Sequence, residues 1–121
     1  MVAHAVAELP NEACGYLAGK DGIITRVFLL TNTDHSPEHF SFDPAEQFVA
    51  LKSSREEGIR ILANFHSHPK TPARPSDEDV RLAFDPEISY VIISLAKDEA
   101  VINSYRIADS GVEKEKIDII E

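Results

Sequence analysis

Two histidines one residue apart, a proline-rich connection and an acidic helix start are the part of this sequence with the clearest chemistry. From Ile59 onward apolar and polar residues alternate, so His66 and His68 leave one face of a predicted strand. Asp79 falls on the first turn of the next predicted helix. The stretch Pro69 to Pro75 holds three prolines and is short enough to return that carboxylate to the two imidazoles. Two imidazoles and one carboxylate, with a fourth position left to water, form the ligand set of a catalytic zinc site; a structural site would be closed by four protein ligands. One zinc so held lowers the pKa of its water to about 7. Hydrolysis there needs a base, and Glu12 is the candidate. Ser76 can donate to a carbonyl oxygen under attack, a contribution of about 2.7 to 4 kcal/mol to the barrier.

Each part also has a plainer reading. A His-x-His pair on a strand is commonly a hydrogen-bonded couple, and Ser76 with Asp79 makes an ordinary helix cap. The conjunction of the three ligands with Ser76 and the upstream Glu12 is what points to a metal. Cys14 reads as a small buried hydrophobe, His4 as solvated, and His35 and His39 as exposed in a polar loop. Asn64 shares the histidine face and reads as a structural hydrogen-bonding residue. Asp77 and Glu78 suit a helix N-terminus. Arg74 reads equally as a solubilising charge or as a contact for a substrate tail.

The elements that must position these residues follow from local signals. Val2 to Leu9 reads as a helix ended by Pro10, with Val2, Val6 and Leu9 on one face. Ala13 to Ala18 and Ile23 to Leu30 read as a hairpin around Gly19 to Gly22. Thr31 to Ser41 is a polar loop. Asp43-Pro44-Ala45-Glu46 starts a helix, with Glu46 expected to complete a capping box and Gly58 to end it. A short helix is expected from Ser76 to Phe84. Strands are expected at Ser89 to Ala96 and Ala100 to Ile107, with a last edge strand at Ile117 to Ile120.

Composition sets the frame. A chain of 121 residues, 43% hydrophobic and 27% charged, is expected to form one soluble globular domain over 1–121. Twelve basic against 21 acidic residues give a net charge of -9, which disfavours nucleic acid as a partner. A single cysteine forms no internal disulfide. No stretch approaches the roughly 20 apolar residues of a membrane span, and Met1 to Pro10 lacks a signal peptide, so a cytoplasmic protein is expected.

The string His66-x-His68-Pro69 followed by Ser76 and Asp79, with Glu12-x-x-Gly15 upstream, resembles the signature of the JAMM metalloproteases, also called MPN+ or JAB domains. The resemblance runs from about Ala5 to Ile107. It implies an α+β fold, a mixed sheet flanked by helices in a cytidine-deaminase-like arrangement. It implies zinc on His66, His68 and Asp79, a water activated by Glu12, and a carbonyl polarised by Ser76. The implied substrates are amide or isopeptide bonds after the Gly-Gly tail of a ubiquitin-like protein. Pro10 to Gly15 and the loop Asn32 to Pro44 are similar to those of the compact sulfur-carrier-protein cysteine peptidases, which release cysteine from a ubiquitin-like carrier. Family members usually begin with a further strand and a longer first helix, from which this N-terminus departs. The DNA-repair-associated JAB branch typically has Asn between the histidines and Gly after the proline, where this chain has Ser67 and Lys70. The alternative on the same fold is a non-catalytic module that binds a ubiquitin-like tail.

Overall fold

A computed structural model of the chain describes residues 1–119. Its elements run α1 (Val2–Ala7), β1 (Cys14–Lys20), β2 (Ile23–Leu30), α2 (Pro44–Glu56), β3 (Arg60–His68), α3 (Asp77–Arg81), β4 (Ser89–Ser94), β5 (Val101–Ala108) and β6 (Gly111–Glu115). The strands form one sheet in the order β2-β1-β3-β4-β5-β6. Only β3 and β4 are parallel and every other pair is antiparallel, so the sheet is mixed and the fold is α+β, as expected.

The parallel pair explains where the site lies. Parallel neighbours require a crossover, because a tight turn can only join antiparallel strands. Here the crossover leaves the end of β3 right after His68, carries the proline-rich loop and α3, and returns at Ser89. It hangs over the end of the strand that bears the histidines.

Strand β3 is central and divides the core. On one side Ala63 and Phe65 pack with Leu17, Val91, Ile93 and the fully buried Ala5 of α1. On the other, Tyr90, Ile92, Tyr105 and Ile107 surround Ala73 of the proline-rich loop. Burying Phe65, Ile92 and Ile93 completely contributes about 1.5–3 kcal/mol each. Helix α2 lies on the second side, where Gln47 Nε2 donates to Tyr16 Oη at 2.7 Å and Tyr16 pairs with Asn64.

Several expectations need correction. Val2, Val6 and Leu9 face solvent, and α1 meets the sheet through Ala5, whose small side chain lets the helix backbone come close. His4 is not solvated but packs edge-on against Phe65, ring centroids 6.4 Å apart. Glu46 forms no capping box; its two oxygens accept from the amide and hydroxyl of Thr31 at 2.7 and 2.9 Å, joining α2 to the end of β2. Helix α3 ends at Arg81, short of Phe84. The last edge strand is β6, hinged on the turn at Asp109-Ser110, while 117–119 are irregular and Ile120 lies outside the described residues.

Candidate metal centre

Antiparallel register carries Glu12 to the histidines. Cys14 pairs with His66 across β1 and β3. The pairing continues one step past β1, because the Ser67 amide donates to the Ala13 carbonyl at 3.0 Å and the Ala13 amide to Ser67 Oγ at 2.7 Å. One residue further back, Glu12 lies just beyond the end of this ladder, near enough to the site that His68 and Asp79 both act on its carboxyl. Side chains alternate along strands, so continuing the Cys14–His66 register two residues back aims Glu12 to the face of both imidazoles.

The three expected ligands converge. His66 Nε2 and His68 Nε2 are 3.0 Å apart, and Asp79 Oδ2 lies 3.1 Å from the first and 3.0 Å from the second. Donors on one tetrahedral ion at about 2.0–2.1 Å would be separated by roughly 3.3–3.4 Å, close to this triangle. The hydrogen-bond chemistry also calls for a cation. His68 Nδ1 donates to the Pro72 carbonyl at 2.9 Å, so the neutral ring presents a bare lone pair at Nε2 toward Asp79 and His66. A single proton can relieve one pair of these electron-rich atoms at a time; a divalent ion serves all three. His66, His68 and Asp79 therefore fit a metal, and among the described residues they are the group that could hold one.

The carboxylate arrives by helix capping. Ser76 Oγ accepts from the Asp79 amide at 3.0 Å, and Asp79 Oδ2 accepts from the Ser76 amide at 2.9 Å. This reciprocal box fixes the side chain of Asp79 on the first turn of α3. The loop before it is stapled to the sheet at three successive carbonyls. Thr71 accepts from Ser94 Oγ at 2.6 Å, Pro72 from His68, and Ala73 from both Tyr105 Oη at 2.6 Å and Asn103 Nδ2 at 2.9 Å. Three prolines and three anchored carbonyls leave this loop little freedom.

Electrostatics separate the roles of the groups. Burial works against charge on Asp79, but the close contacts with the His66 and His68 rings and the hydrogen bond from the Ser76 amide outweigh it and hold the carboxyl well below the usual range. Burial pushes His66 down and keeps it neutral, against the pull of Asp79. His68 is also buried, yet Asp79 and the Pro72 carbonyl raise it. Glu12 is 4% exposed, its Oε1 has no hydrogen-bond partner among the described residues, and burial pushes its carboxyl up to about 8. A carboxyl set so close to neutrality can both take and return a proton near pH 7. Ser76 is exposed, and as its oxygen accepts from Asp79 its hydroxyl proton stays free to donate outward.

A cavity of about 480 Å³ opens beside His66 and Asp79. The sheet residues Asn64, Tyr90 and Ile92 line it, with Phe40, Phe42 and Leu82 around them. Asn64 Oδ1 is buried there without the structural hydrogen bond expected of it. Cys14 is fully buried, and burial pushes its thiol up to about 12, which makes it a hydrophobe and no nucleophile. Arg74 and His35 are exposed.

Some residues around the site carry roles that the sequence reading did not give them. His39, though exposed, pairs with Glu78 at 2.6 Å, and Phe40 stacks on His66 with centroids 4.7 Å apart. Asn32 is buried under the same loop. The one signal available was the density of polar and aromatic residues between Thr31 and Phe42.

Residues 1–108 match the family described as prokaryotic homologs of the JAB domain. Over its whole length the chain is 36% identical to the CysO-cysteine peptidase of Mycobacterium tuberculosis, of which it spans 85%. It is 42% identical over 82 residues to a probable TtuB-protein conjugate cleaving protease of Thermus thermophilus, an overlap of 67% of this chain and 55% of that protein. A protein of Desulfitobacterium hafniense solved in solution superposes with a TM-score of 0.92 at 56% identity, covering 100% of this chain and 86% of the other. No helix among the described residues is long and apolar enough to cross a membrane.

Proposed function

Since this chain belongs to the family of prokaryotic JAB-domain homologs, we propose that it is a zinc-dependent peptidase or isopeptidase. It hydrolyses the amide bond after the C-terminal Gly-Gly of a ubiquitin-like or sulfur-carrier protein, with cysteine as one leaving group. The observation that carries this reading is the triangle of His66, His68 and Asp79 donor atoms, with the buried Glu12 carboxyl near enough that His68 and Asp79 both act on it. The names of the mycobacterial and Thermus relatives, a carrier-cysteine peptidase and a conjugate-cleaving protease, support the substrate class.

In this proposal His66, His68 and Asp79 hold one zinc. The ion, when bound, supplies Lewis acidity and a water acidified to about pKa 7. Glu12 takes a proton from the attacking water and returns it to the departing amine; its raised pKa suits both halves of that transfer. Ser76 donates its free hydroxyl proton to the carbonyl oxygen as charge builds there. The stapled loop 71–73 keeps Ser76 and Asp79 from drifting, which matters because a misplacement of about 1 Å can cost on the order of a hundredfold in rate. The domain is proposed to act as a unit over residues 1–121 in the cytoplasm, in keeping with a lone cysteine that is a buried free thiol.

Metal content together with intact-mass analysis of carrier conjugates tests the proposal. One zinc per chain and chelator-sensitive trimming of a carrier's cysteine or lysine adduct back to its Gly-Gly end are expected. Bound metal with every conjugate left intact would overturn the peptidase reading.

A further inference from the structure

We propose that Asn32 is a positioning residue: its one carboxamide ties the 31–42 loop to the main chain of Glu12 and so sets where the Glu12 carboxyl stands against the metal ligands. The inference rests on Glu12 being the proton carrier of the proposed reaction.

Asn32 is 4% exposed and uses both ends of its amide. Nδ2 donates to the carbonyls of His39 at 2.8 Å and Glu12 at 3.0 Å, with the Ser36 carbonyl at 3.5 Å. Oδ1 accepts from the amides of Asp34 at 3.0 Å and Ser41 at 3.2 Å. The Glu12 amide donates to the Ser36 carbonyl at 2.8 Å. Both main-chain polar groups of Glu12 are therefore bonded to this loop, just before β1 begins at Cys14 and the sheet takes over.

The same loop reaches the ligands. Phe40 stacks on the His66 ring, interplanar angle 22°, and Phe42 packs on Tyr16 of β1. His39 pairs with Glu78, the neighbour of Asp79 on α3. A segment bonded to the base's backbone, to the ring of one ligand and to the helix of another fixes the distances among them. The bonds from Asn32 to Asp34, His39 and Ser41 would be enough to shape a loop. The bond to Glu12 is the one that a purely local role does not need.

Asn32→Ala is compared with Thr33→Ala, which removes a bond internal to the loop, Thr33 Oγ1 to the Ser41 carbonyl at 3.1 Å, and leaves Glu12 untouched. In the metal-loaded protein Asn32→Ala is expected to raise hydrogen exchange at the Glu12 amide by about tenfold or more. It is expected to lower kcat by about 10- to 100-fold with KM within about twofold, and Thr33→Ala to move neither. Equal Glu12 exchange in the two variants, or an unchanged kcat in Asn32→Ala, overturns the proposal. If Asn32→Ala does not fold, Asn32→Asp, which keeps the oxygen that Asp34 and Ser41 donate to but cannot donate to Glu12, is read the same way. If the wild-type chain cleaves no conjugate, the proposed function fails on its own, and exchange at Glu12 alone decides the role of Asn32.

Discussion

Ser76 and Asp79 bond each other twice, side chain to amide in both directions, and the same Asp79 oxygen that caps the helix lies within 3.1 Å of both imidazoles. The helix cap and the proposed metal site thus share one carboxylate oxygen. Either function alone would account for the residue types, which is why the pair reads ambiguously in the sequence.

The capping role of Ser76 and its proposed role as a donor to the carbonyl can be separated by substitution. Glycine at an N-cap costs only a few tenths of a kcal/mol relative to serine, whereas it removes the hydroxyl altogether. Ser76→Gly is expected to keep the thermal midpoint within about 2 °C and to lower kcat about 10²- to 10³-fold. Denaturation and steady-state kinetics on one preparation check this. A variant that melts early and cleaves normally would leave Ser76 as a cap and nothing more.

Glu12 predicts a pH dependence with a definite sign. Its folded pKa of about 8 lies above the ordinary 4.5, so folding favours the protonated form. That stability is fully present below 4.5 and is lost as pH rises through 8. In the metal-free protein, Glu12→Gln should therefore gain stability relative to wild type across this window, by at most about 1.4 kcal/mol per pH unit. Urea melts of both proteins at several pH values measure the difference, and parallel curves would mean that the carboxyl is not held in a desolvated place. With metal bound the divergence should shrink, since a nearby cation favours the carboxylate.

Gly15 accounts for the glycine three residues after Glu12. A Cβ there would run into the carbonyl of Phe28 on β2 and the ring of Phe65 on β3. Gly15→Ala must push one of them aside, and overpacking of this kind costs about 1–3 kcal/mol. A fall in the thermal midpoint of roughly 3–15 °C is expected by calorimetry. Substitution at Gly22, whose φ is +78° but which has open space around it, strains the hairpin turn without touching the core.

What the sequence disclosed and what it withheld divide along physical lines. Alternation put His66 and His68 on one face because the two-residue period is local, and the prolines of 69–75 brought Asp79 back because a stiff short loop has few paths. The link from Asn32 to Glu12 and the pair His39–Glu78 span 20 and 39 residues and depend on how the 31–42 loop folds back, which no local pattern states. Strand β6 was hidden for a different reason. Val112 to Glu115 is mostly charged, so hydrophobic alternation favoured Ile117 to Ile120, and the turn at Asp109-Ser110-Gly111, with Gly111 at φ +133°, was the better signal. Glu46 fits a capping box by spacing, yet two donors on Thr31 compete for it and win.

Asp79→Asn isolates the ion from the cap. Asparagine can still accept from the Ser76 amide, so α3 should keep its start, but the triangle loses its only negative charge. Two neutral imidazoles and an amide oxygen make a poor site for a divalent ion, and metal affinity is expected to fall by at least about 100-fold. Because an ion that binds only the folded state stabilises it by mass action, chelation should lower the wild-type midpoint measurably, while a site held at about 100 times its Kd gives about 2.7 kcal/mol. The Asp79→Asn midpoint should not respond to chelator. An equal response in both proteins would place the ion away from His66, His68 and Asp79, and with it the chemistry assigned to Glu12.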